Sequence, residues 1–563
     1  MDDQRSKVEI IKENSHQLRG DIEQALQDAT SHFEESTIQV LKFHGVYQQD
    51  HRDVRKQLSR EGKERHYMMM IRARIPGGVL NASQYLQFDR LADDYGDGSM
   101  RITTRQTFQL HGILKSNLKE TIRSINDVLV TTLGGCGDQV RNTVSCAAPH
   151  CGPFYDEVRE DLLALVDTLS ARTRAYHEIW LDGEKVALDD EASGPEEPLY
   201  GQVYLPRKFK IAIAYEGDNC VDVYANDIGI IAHRDGETVA GYTLVVGGGM
   251  GRTASDQETH PLLASPLCFV RRDEIVETCT AIVMVQRDHG NRVNRKFGRM
   301  KYLIETKGVD WFRDQVESVL GRPLTPPREL VWQTADDHLG RWETADGRVH
   351  LGLFVENGRI KDTDQRRLKS VLRELVTVYQ PDIGLTTQQN LIFANLTPDT
   401  AVLMESALRA ANVPLGDDIS PVHLHSMACP AMPTCGLAIA ESERALPAVI
   451  RDLDTALQSL GLGDESITVR MTGCANGCAR PYIAEIGLVG RVLGKYDLLL
   501  GASALGTRLN QRFREMVPAA DIVLTLVPLL QAFRDERMDN EGFGAYCHRV
   551  GFAYLDDILT ATV

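Results

Sequence analysis

The sequence predicts an α+β protein that contains an internal duplication with pseudo-two-fold symmetry. Two segments have the same order of strand, helix and strand, and they lie about 283 residues apart. The letters ITTRQ at 102–106 align with LTTQQ at 385–389. Each copy is followed by a pair of cysteines: Cys146 with Cys151, and Cys429 with Cys435. The pattern therefore indicates a symmetric pair of units and not a solenoid.

The composition is that of an ordinary globular protein and excludes disordered, fibrous and collagen-like classes. The chain has 563 residues, of which 43% are hydrophobic, and a formal net charge of −17. Its length predicts two to four domains, and its acidic balance argues against a nucleic-acid partner. The sequence has no run of 18 apolar residues and no apolar signal segment near its start, so we expect a cytoplasmic protein without a membrane partner.

The N-terminal segment, residues 1–66, is polar and dense in charge. Only Ile10, Ile11 and Leu18 form a thin apolar stripe in its first part. We expect an exposed N-terminal arm with one or two helices. It either docks a partner or remains solvated.

The first copy of the duplication begins near residue 67. MMMIRARIPGGVL (68–80) predicts a strand that runs into a Pro-Gly-Gly turn. In 81–96, Tyr85, Phe88 and Leu91 recur at helical spacing, and Asn81 or Ser83 can cap the helix. The segment 98–113 is rich in Thr, Ile and Phe and predicts one further strand.

The second copy repeats this order. VHLGLFVENGRI (349–360) predicts a strand and a turn, 362–379 predicts a helix, and DIGLTTQQNLIFANL (382–396) predicts a strand.

Four cysteines give the strongest chemical signal. They form two close pairs separated by 38 residues: Cys429 and Cys435, then Cys474 and Cys478. Folding can bring such pairs to one point, as an iron–sulfur cluster or a zinc site requires. The glycine-rich TGCANGC turn can direct backbone N–H groups at the sulfurs. A [4Fe–4S] cluster is favoured, because zinc ribbons prefer pairs spaced by two residues; zinc and unliganded core cysteines are the alternatives.

The other cysteines have simpler interpretations. We expect five of them to be small buried hydrophobes: Cys136, Cys220, Cys268, Cys279 and Cys547. Cys146 and Cys151 have no second pair in their copy. We interpret them as a duplicated site that no longer binds a cluster.

Basic residues alternate along several predicted strands. If RITTRQTFQLH is one strand, its alternate residues share a face: Arg101, Thr103, Arg105, Gln109 and His111. Arg72 with Arg74, and Lys208 with Lys210, are spaced in the same way, and Arg141 precedes Cys146. Solvated sheet faces are the alternative, but three such strands facing together would form an anion pocket. The glycine run at 247–251 could admit a large ligand, or could simply form a tight turn.

The cysteine motifs resemble those of the sulfite and nitrite reductases that couple siroheme to a [4Fe–4S] cluster. The resemblance is carried by MACPAMPTCGLAIAESERALP and RMTGCANGCARPYIAEIGLVG. It continues through FHGVYQQDHRD, RARIPGGV, RITTRQTFQLHGI, RTRAYHEIWLDGEKV, GQVYLPRKFK, YANDIG and QRDHGNRVNRKFGRMKY, so it spans about residues 15–555. The segments RTRAYHEIWLDGEKV and FHGVYQQD are most similar to the hemoprotein (beta) subunits of bacterial NADPH-dependent sulfite reductases.

The resemblance implies a siroheme-reductase architecture with five regions. Two paired ferredoxin-like arms would form a central domain, and a related α/β domain would follow each arm. The regions are the N-terminal arm 1–66, the first arm 67–134, a siroheme- and substrate-binding domain 135–337, the second arm 338–414, and a cluster- and siroheme-binding domain 415–563.

The resemblance also implies a role for each site residue. Cys429, Cys435, Cys474 and Cys478 would hold the cluster, with Cys478 bridging to the siroheme iron. The substrate anion would lie among four catalytic cations: Arg72, Arg141, Lys208 and Lys210. Siroheme carboxylates would bind Arg101 and Arg105. The remaining residues placed near the cofactor are His111, Arg207, Asn226, Arg299 and Lys301.

The implied reaction is the six-electron reduction of sulfite to sulfide in assimilatory sulfate reduction and cysteine biosynthesis. No nicotinamide or flavin fingerprint is present, so electrons would come from an NADPH-oxidising flavoprotein subunit that carries FMN and FAD. A ferredoxin-dependent nitrite reductase uses the same cofactors and is the alternative enzyme. A non-catalytic iron–sulfur protein would leave the cationic residues unexplained.

Overall fold

The structure, a computed structural model, describes residues 5–173, 180–181, 184–185 and 197–561. Most of RTRAYHEIWLDGEKV (172–186), which contributed to the resemblance, lies outside the described residues. Within the described residues, no helix combines the length and apolar character that a membrane span needs.

The N-terminal segment is packed against the rest of the chain, so the expectation of an exposed arm was wrong. Its elements are α1 (Lys7–Glu13), α2 (Ile22–Gln27), α3 (Glu35–Leu41), β1 (Val46–Asp50) and α4 (Arg52–Arg60). Lys12 and Glu9 form an ion pair of 2.5 Å in which both side chains are 1% exposed. Leu18 and Phe43 are also buried. Paired charges can be buried, whereas composition alone suggests that they are solvated.

The first arm forms an antiparallel sheet covered by two helices. Its elements are β2 (Tyr67–Arg72), β3 (Val79–Leu80), α5 (Ala82–Asp94), β4 (Met100–Ile102), β5 (Phe108–Ile113) and α6 (Leu118–Asp127). Asn81 caps α5 in a capping box with Gln84, as the sequence predicts. The N-terminal segment supplies an edge strand, because β1 pairs with β2.

The segment 98–113 is a hairpin and not the single strand predicted. Thr103 N–H donates to the carbonyl of Thr107 (3.0 Å), and Gln106 has a positive φ of 52° in the turn. Arg105 therefore lies in the turn, outside the common face. Arg101 and Arg72 both pair with Gln109, so these three residues align across the sheet.

The next region forms a mixed seven-stranded sheet, with strand order β13-β12-β11-β9-β10-β14 and β6 beside β9. The elements are β6 (Val144–Ser145), α7 (Pro153–Thr168), β7 (Trp180–Leu181), β8 (Glu184–Lys185), β9 (Ile211–Tyr215), β10 (Gly217–Asp218), β11 (Ile228–Asp235), β12 (Thr238–Val246), β13 (Ser265–Val270), α8 (Ile275–His289), α9 (Met300–Lys307), α10 (Val309–Leu320) and β14 (Trp332–Thr334). Residues from α7, α8 and α10 pack in a common core with residues from the sheet.

The second arm repeats the first. Its elements are β15 (Gly340–Glu343), β16 (Val349–Leu353), β17 (Arg359–Ile360), α11 (Leu368–Tyr379), β18 (Asp382–Leu385), β19 (Leu391–Leu396) and α12 (Pro398–Ala410). The arms exchange short strands, because β17 pairs with β4 and β3 pairs with β18. Gln389 has a positive φ of 73° in the turn that corresponds to that of Gln106. One core runs through both arms, and the predicted duplication with paired arms is confirmed.

The last region has a five-stranded sheet with order β20-β21-β22-β23-β24. The elements are α13 (Pro421–Leu424), β20 (Ser426–Ala428), α14 (Leu446–Leu460), β21 (Val469–Thr472), β22 (Ile486–Val492), β23 (Lys495–Leu500), β24 (Gln511–Pro518), α15 (Ile522–Glu536), α16 (Phe543–Val550) and α17 (Phe552–Ala561). Strands β20, β21 and β22 are parallel, so the loops after β20 and β21 meet at one edge of the sheet.

Candidate active site

The four cysteines predicted to hold a cluster lie in the two loops that follow the parallel strands β20 and β21 of the last sheet. Cys429 directly follows β20, and Cys435 lies further along the same loop. Cys474 and Cys478 belong to the loop after β21. Cys429 is buried, whereas Cys478 is exposed. Adjacent parallel strands therefore bring the two sequence pairs together.

The surroundings of the sulfurs suit a polynuclear cluster. The N–H of Gly473 donates to Cys429 Sγ, and the amide of Asn476 donates to Cys474 Sγ, each at 3.4 Å. Burial and the neighbouring cysteines raise the pKa of Cys429 and Cys435, and they raise the pKa of Cys474 to about 11. A bound cation is needed to keep these groups as thiolates at neutral pH.

The spacing of the sulfurs disfavours a single zinc ion. Tetrahedral zinc places its thiolate sulfurs about 3.8 Å apart, given a Zn–S bond of about 2.3 Å. Among the described residues, three or more possible metal-binding atoms come within 4.8 Å of one another at one place, and that place contains none of these four cysteines. In any three of these four sulfurs, at least one distance therefore exceeds 4.8 Å, which is wider than a single zinc ion sets.

The N-terminal segment supports the cysteine loop, a contact that the sequence did not predict. The N–H of Arg52 donates to the carbonyl of Pro433 at 3.1 Å. The Arg52 guanidinium donates to the carbonyls of Cys435 (3.1 Å) and Ala438. This contact spans more than 380 residues of sequence, and the only local signal for it was one arginine in a charged segment.

Lys208 and Lys210 lie in the extended segment just before β9. The N–H of Phe209 donates to Gln139 O (3.2 Å), and Phe209 O accepts from the N–H of Arg141 (3.0 Å). The side chain of Phe209 is buried in the core, so the two lysines point the other way. The segment thus aligns both lysines with Arg141.

The lysines lie in a strongly positive environment. Burial, followed by Arg141 and Arg299, lowers the pKa of Lys208 to about 7. Burial and the charge of Lys208 lower the pKa of Lys210 well below its usual value. The exposed Cys478 also acts on Lys208, in the opposite direction. Surplus positive charge thus faces the cysteine loop and would be offset by an anionic ligand.

Arg72 and Arg141 meet at a tyrosine and a cysteine that sequence reasoning did not select for the site. Arg72 Nη1 donates to Cys136 Sγ at 3.1 Å. Burial and the neighbouring Cys136 raise the pKa of Tyr47 to about 12, against the opposing charges of Arg141 and Arg72. Cys136 is buried as expected, yet it contacts a site arginine.

Arg105 is fixed by the domain that follows the first arm. Its Nη1 donates to Asn226 Oδ1 (2.6 Å), and its Nη2 donates to the carbonyls of Ile211 (2.8 Å) and Asn142. Burial, followed by the charges of Arg480 and Arg141, lowers its pKa to about 9.

Arg207, Arg299 and Lys301 line the glycine loop. Arg299 makes a bidentate ion pair with Asp227 (2.9–3.1 Å), and Lys301 Nζ donates to the carbonyls of Gly249 and Gly251. A cavity of about 260 Å³ opens between this loop and the cysteine loop. It is lined by Arg207, Lys208, Gly251, Arg252, Thr253, Arg295, Lys296, Arg299, Tyr302 and Asn476.

Arg101 and His111 make their observed contacts with other neighbours. Arg101 is 2% exposed and contacts Glu443 and the carbonyl of Ala428. His111 Nδ1 contacts Gln49 at 3.2 Å, and burial, followed by Arg359 and Arg101, lowers its pKa well below the usual value. Of the other predicted cations, Arg207, Lys208 and Arg299 line the cavity, together with Asn476 of the loop that carries Cys474 and Cys478. Buried cations facing four thiols fit siroheme, whose carboxylates are anionic, beside a [4Fe–4S] cluster.

Comparisons with known proteins place this chain in a family. Residues 164–324 match the family described as "Nitrite and sulphite reductase 4Fe-4S domain". Residues 60–128 and 343–411 each match the "Nitrite/Sulfite reductase ferredoxin-like half domain". The solved structure of the Mycobacterium tuberculosis NirA protein has the same fold, with a TM-score of 0.78 and 24% identity over 97% of this chain and 96% of that chain.

Curated relatives match over almost the whole chain. A protein named sulfite reductase [NADPH] hemoprotein beta-component from Staphylococcus saprophyticus is 42% identical over 98% of this chain and 96% of its own length. A protein of the same name from Geobacillus kaustophilus is 43% identical over 97% of this chain and 96% of its own length. This chain therefore belongs to the nitrite and sulfite reductase family, within the group of sulfite reductase hemoprotein beta-components.

Proposed function

We propose that this chain is the catalytic hemoprotein of an assimilatory sulfite reductase and reduces sulfite to sulfide with six electrons. The main support is that Lys208, Lys210 and Arg141 lie on one extended framework, and that Lys208 interacts electrostatically with the exposed Cys478. Sulfite is a small oxyanion, and this arrangement offers fixed positive charge to an oxyanion.

In this proposal the cofactors would be held by the two walls of the cavity. Cys429, Cys435, Cys474 and Cys478 would bind the cluster, and Cys478 would also ligate the siroheme iron. Arg101 and Arg105 would bind siroheme carboxylates, and Asn226, which holds Arg105, and Arg299 would lie near the cofactor. When bound, siroheme and the cluster would pass electrons from the external donor to sulfite, and siroheme would supply the iron for its sulfur.

The protein's own residues would bind the oxygens of sulfite and supply protons. Arg72 and Arg141 would orient these oxygens, because guanidinium groups make directional contacts with oxyanions. Lys208, with a pKa of about 7, would donate a proton near neutral pH, so that each departing oxygen leaves as water. The positive charge would also stabilise the negative charge that develops as the S–O bonds break.

The electron donor in this proposal is a flavoprotein that carries FMN and FAD and oxidises NADPH. The name of the relatives includes NADPH, whereas the sequence of this chain contains no nicotinamide fingerprint. Because NADPH would be the reductant, we place the enzyme in the cytoplasm.

The test is an absorption spectrum of the purified protein, followed by assays with a reduced viologen dye as donor. We expect siroheme bands and sulfide formation at low sulfite concentration. A strong preference for nitrite, with ammonia as product, would assign the chain to nitrite reduction. Siroheme bands that stay absent after reconstitution with siroheme, iron and sulfide would contradict the proposal.

A further inference from the structure

A second group of potential metal ligands lies outside the site described above. It consists of Cys146, Asp218, Cys220 and His338, whose ligand atoms all lie within 4.8 Å of one another. Cys146 directly follows β6, Asp218 ends β10, and His338 lies between β14 and β15. The group therefore joins the first α/β domain to the start of the second arm.

The ligand atoms of this group converge on one point. His338 Nε2 lies 3.1 Å from Cys146 Sγ and 3.3 Å from Asp218 Oδ2. Tetrahedral zinc with two sulfur, one nitrogen and one oxygen ligand sets neighbouring ligand atoms about 3.3–3.8 Å apart. The observed distances between ligand atoms are thus close to those around one zinc ion. A small movement of the side chains would bring all four atoms to bonding distance of the ion.

The surroundings hold these side chains in place. Asp218 Oδ1 accepts from the N–H of Cys220 at 2.8 Å, which leaves Oδ2 directed at His338. Thr387 Oγ1 donates to the carbonyl of Cys220 at 2.7 Å. Cys220 is buried, whereas His338 is about one quarter exposed, so an ion has a route of entry. Such supporting hydrogen bonds are typical of metal sites.

The duplication relates this group to the cysteine cluster site. Cys146 lies one period before Cys429, and each follows the strand at the equivalent edge, β6 or β20. We expect no cluster at Cys146, but the structure gives Cys146 three neighbouring ligands that the sequence did not indicate: Asp218, Cys220 and His338.

Cys220 occupies the position that corresponds to Cys478. Each cysteine lies two residues before a residue of left-handed conformation, Asp222 (φ 50°) or Arg480 (φ 52°). That residue in turn precedes a short 3₁₀ turn in both copies. Two of the four cluster positions thus retain cysteine in the first copy, and His338 and Asp218 complete a smaller set of ligands.

We propose that Cys146, Cys220, His338 and Asp218 bind one zinc ion, at the position where the second copy of the duplication has its cluster cysteines. Two thiolates, one imidazole and one carboxylate form a donor set that zinc accepts. The ligand atoms lie within 4.8 Å of one another, which leaves no room for a polynuclear cluster between them. A disulfide between the two cysteines would use neither His338 nor Asp218. The ion would cross-link the first α/β domain to the second arm.

The test measures the metal content and the ligand environment of the holoenzyme. We expect about one zinc per chain by mass spectrometry of the metals, in addition to the iron of the cofactors. Zinc X-ray absorption should show two sulfur neighbours at about 2.3 Å and two lighter neighbours at about 2.0–2.2 Å. Four sulfur neighbours would place the zinc in the cluster loops and overturn the proposal.

Variants assign the zinc to this group. Cys220→Ala and His338→Ala should each lower the zinc content at least tenfold, while Cys151→Ser, an exposed cysteine of the same motif, should retain it. Siroheme absorbance and circular dichroism report whether each variant is folded. Wild-type protein that remains below one tenth of a zinc per chain after incubation with zinc would refute the site. A Cys146–Cys220 disulfide found by peptide mass spectrometry would also refute it.

Discussion

Arg101 and Glu443 form a buried ion pair between the first arm and the cysteine-bearing region, with 3.1 Å between Nε and Oε2. Arg359 of the second arm binds the same carboxylate at 2.7 Å. Burial alone would raise the pKa of Glu443, but Arg359 and Arg101 lower it to about 2. The N–H of Glu443 also donates to the carbonyl of Cys429 at 3.1 Å. One carboxylate therefore ties both arms to the loop that carries the first cysteine pair.

Replacing Glu443 by alanine should destabilise the protein strongly. The change leaves Arg101 and Arg359 buried without their carboxylate, which costs about 3–5 kcal/mol in the free energy of unfolding. Urea unfolding followed by circular dichroism measures the loss. Asp53→Ala is the matched control, because it removes a surface ion pair with Arg444 and should cost about 1 kcal/mol or less. Equal effects of the two changes would contradict the structural role of Glu443.

Replacing Lys208 and Lys210 should separate catalysis from cofactor binding. The double variant Lys208→Ala, Lys210→Ala removes two neighbouring lysines, of which Lys208 lines the cavity. The loss of one contact that stabilises the transition state typically costs about 10²–10³ in turnover. We therefore expect sulfide formation with a reduced dye to fall at least a hundredfold. Siroheme absorbance and iron content should remain those of the wild type.

The control for this variant is Lys119→Ala, an exposed lysine on α6. It should change neither turnover nor cofactor content. Unchanged sulfide formation in the double variant would exclude the catalytic role of the two lysines. Loss of siroheme in the double variant would instead show that they bind the cofactor.

Much of the fold could be predicted because it is encoded locally or by repetition. The capping box at Asn81 and the apolar spacing of α5 are local signals. The meeting of the two cysteine pairs could be predicted because each pair belongs to a short motif. These motifs follow adjacent parallel strands, whose carboxyl ends lie side by side in the sheet. The duplication was visible because the motif that contains Gln106 recurs around Gln389 and a cysteine pair follows each copy. In the structure both glutamines lie in equivalent turns.

The remaining features depend on contacts between distant parts of the chain. Alternation suggested one strand through 98–113, because nothing in Thr-Thr-Arg-Gln-Thr is a strong turn signal, although Gln106 adopts a left-handed conformation. The N-terminal segment was expected to be exposed because the buried pair of Lys12 and Glu9 reads as two surface charges. Arg101 is predicted to bind a siroheme carboxylate, and no sequence signal indicated its contact with Glu443, which lies 342 residues away in sequence.

Replacing Cys474 by serine should remove the cluster. Four thiolates are needed to hold its four irons, and serine oxygen is a poorer ligand for iron in this setting. We expect the acid-labile sulfide to disappear and the iron content to fall by the four cluster irons. Cys547→Ala, a buried cysteine of the same region outside the loops, should leave both quantities unchanged. Retained sulfide in Cys474→Ser would mean that this loop does not ligate a cluster.

His44 should make the protein sensitive to acid. Its side chain is buried, Nε2 lies 2.7 Å from the carbonyl of Leu18, and burial lowers its pKa to about 4 despite that hydrogen bond. Because the folded pKa lies below the unfolded value of about 6.5, the neutral form is favoured in the folded state. The resulting stability is complete above pH 6.5 and is lost as the pH falls to about 4.

The shift corresponds to about 3 kcal/mol, so His44→Gln should flatten the decline in unfolding free energy between pH 6.5 and 4 by roughly that amount. Urea unfolding at a series of pH values measures the difference between the two proteins. His66→Gln, which changes an exposed histidine of the same segment, should leave the decline unchanged.

Gly45, which follows His44, accepts a hydrogen bond from the backbone of Arg72 at 2.9 Å. Protonation of His44 should therefore loosen the strand that positions Arg72. Unfolding free energies that fall equally with pH in wild type and His44→Gln would exclude His44 as the source of the acid sensitivity.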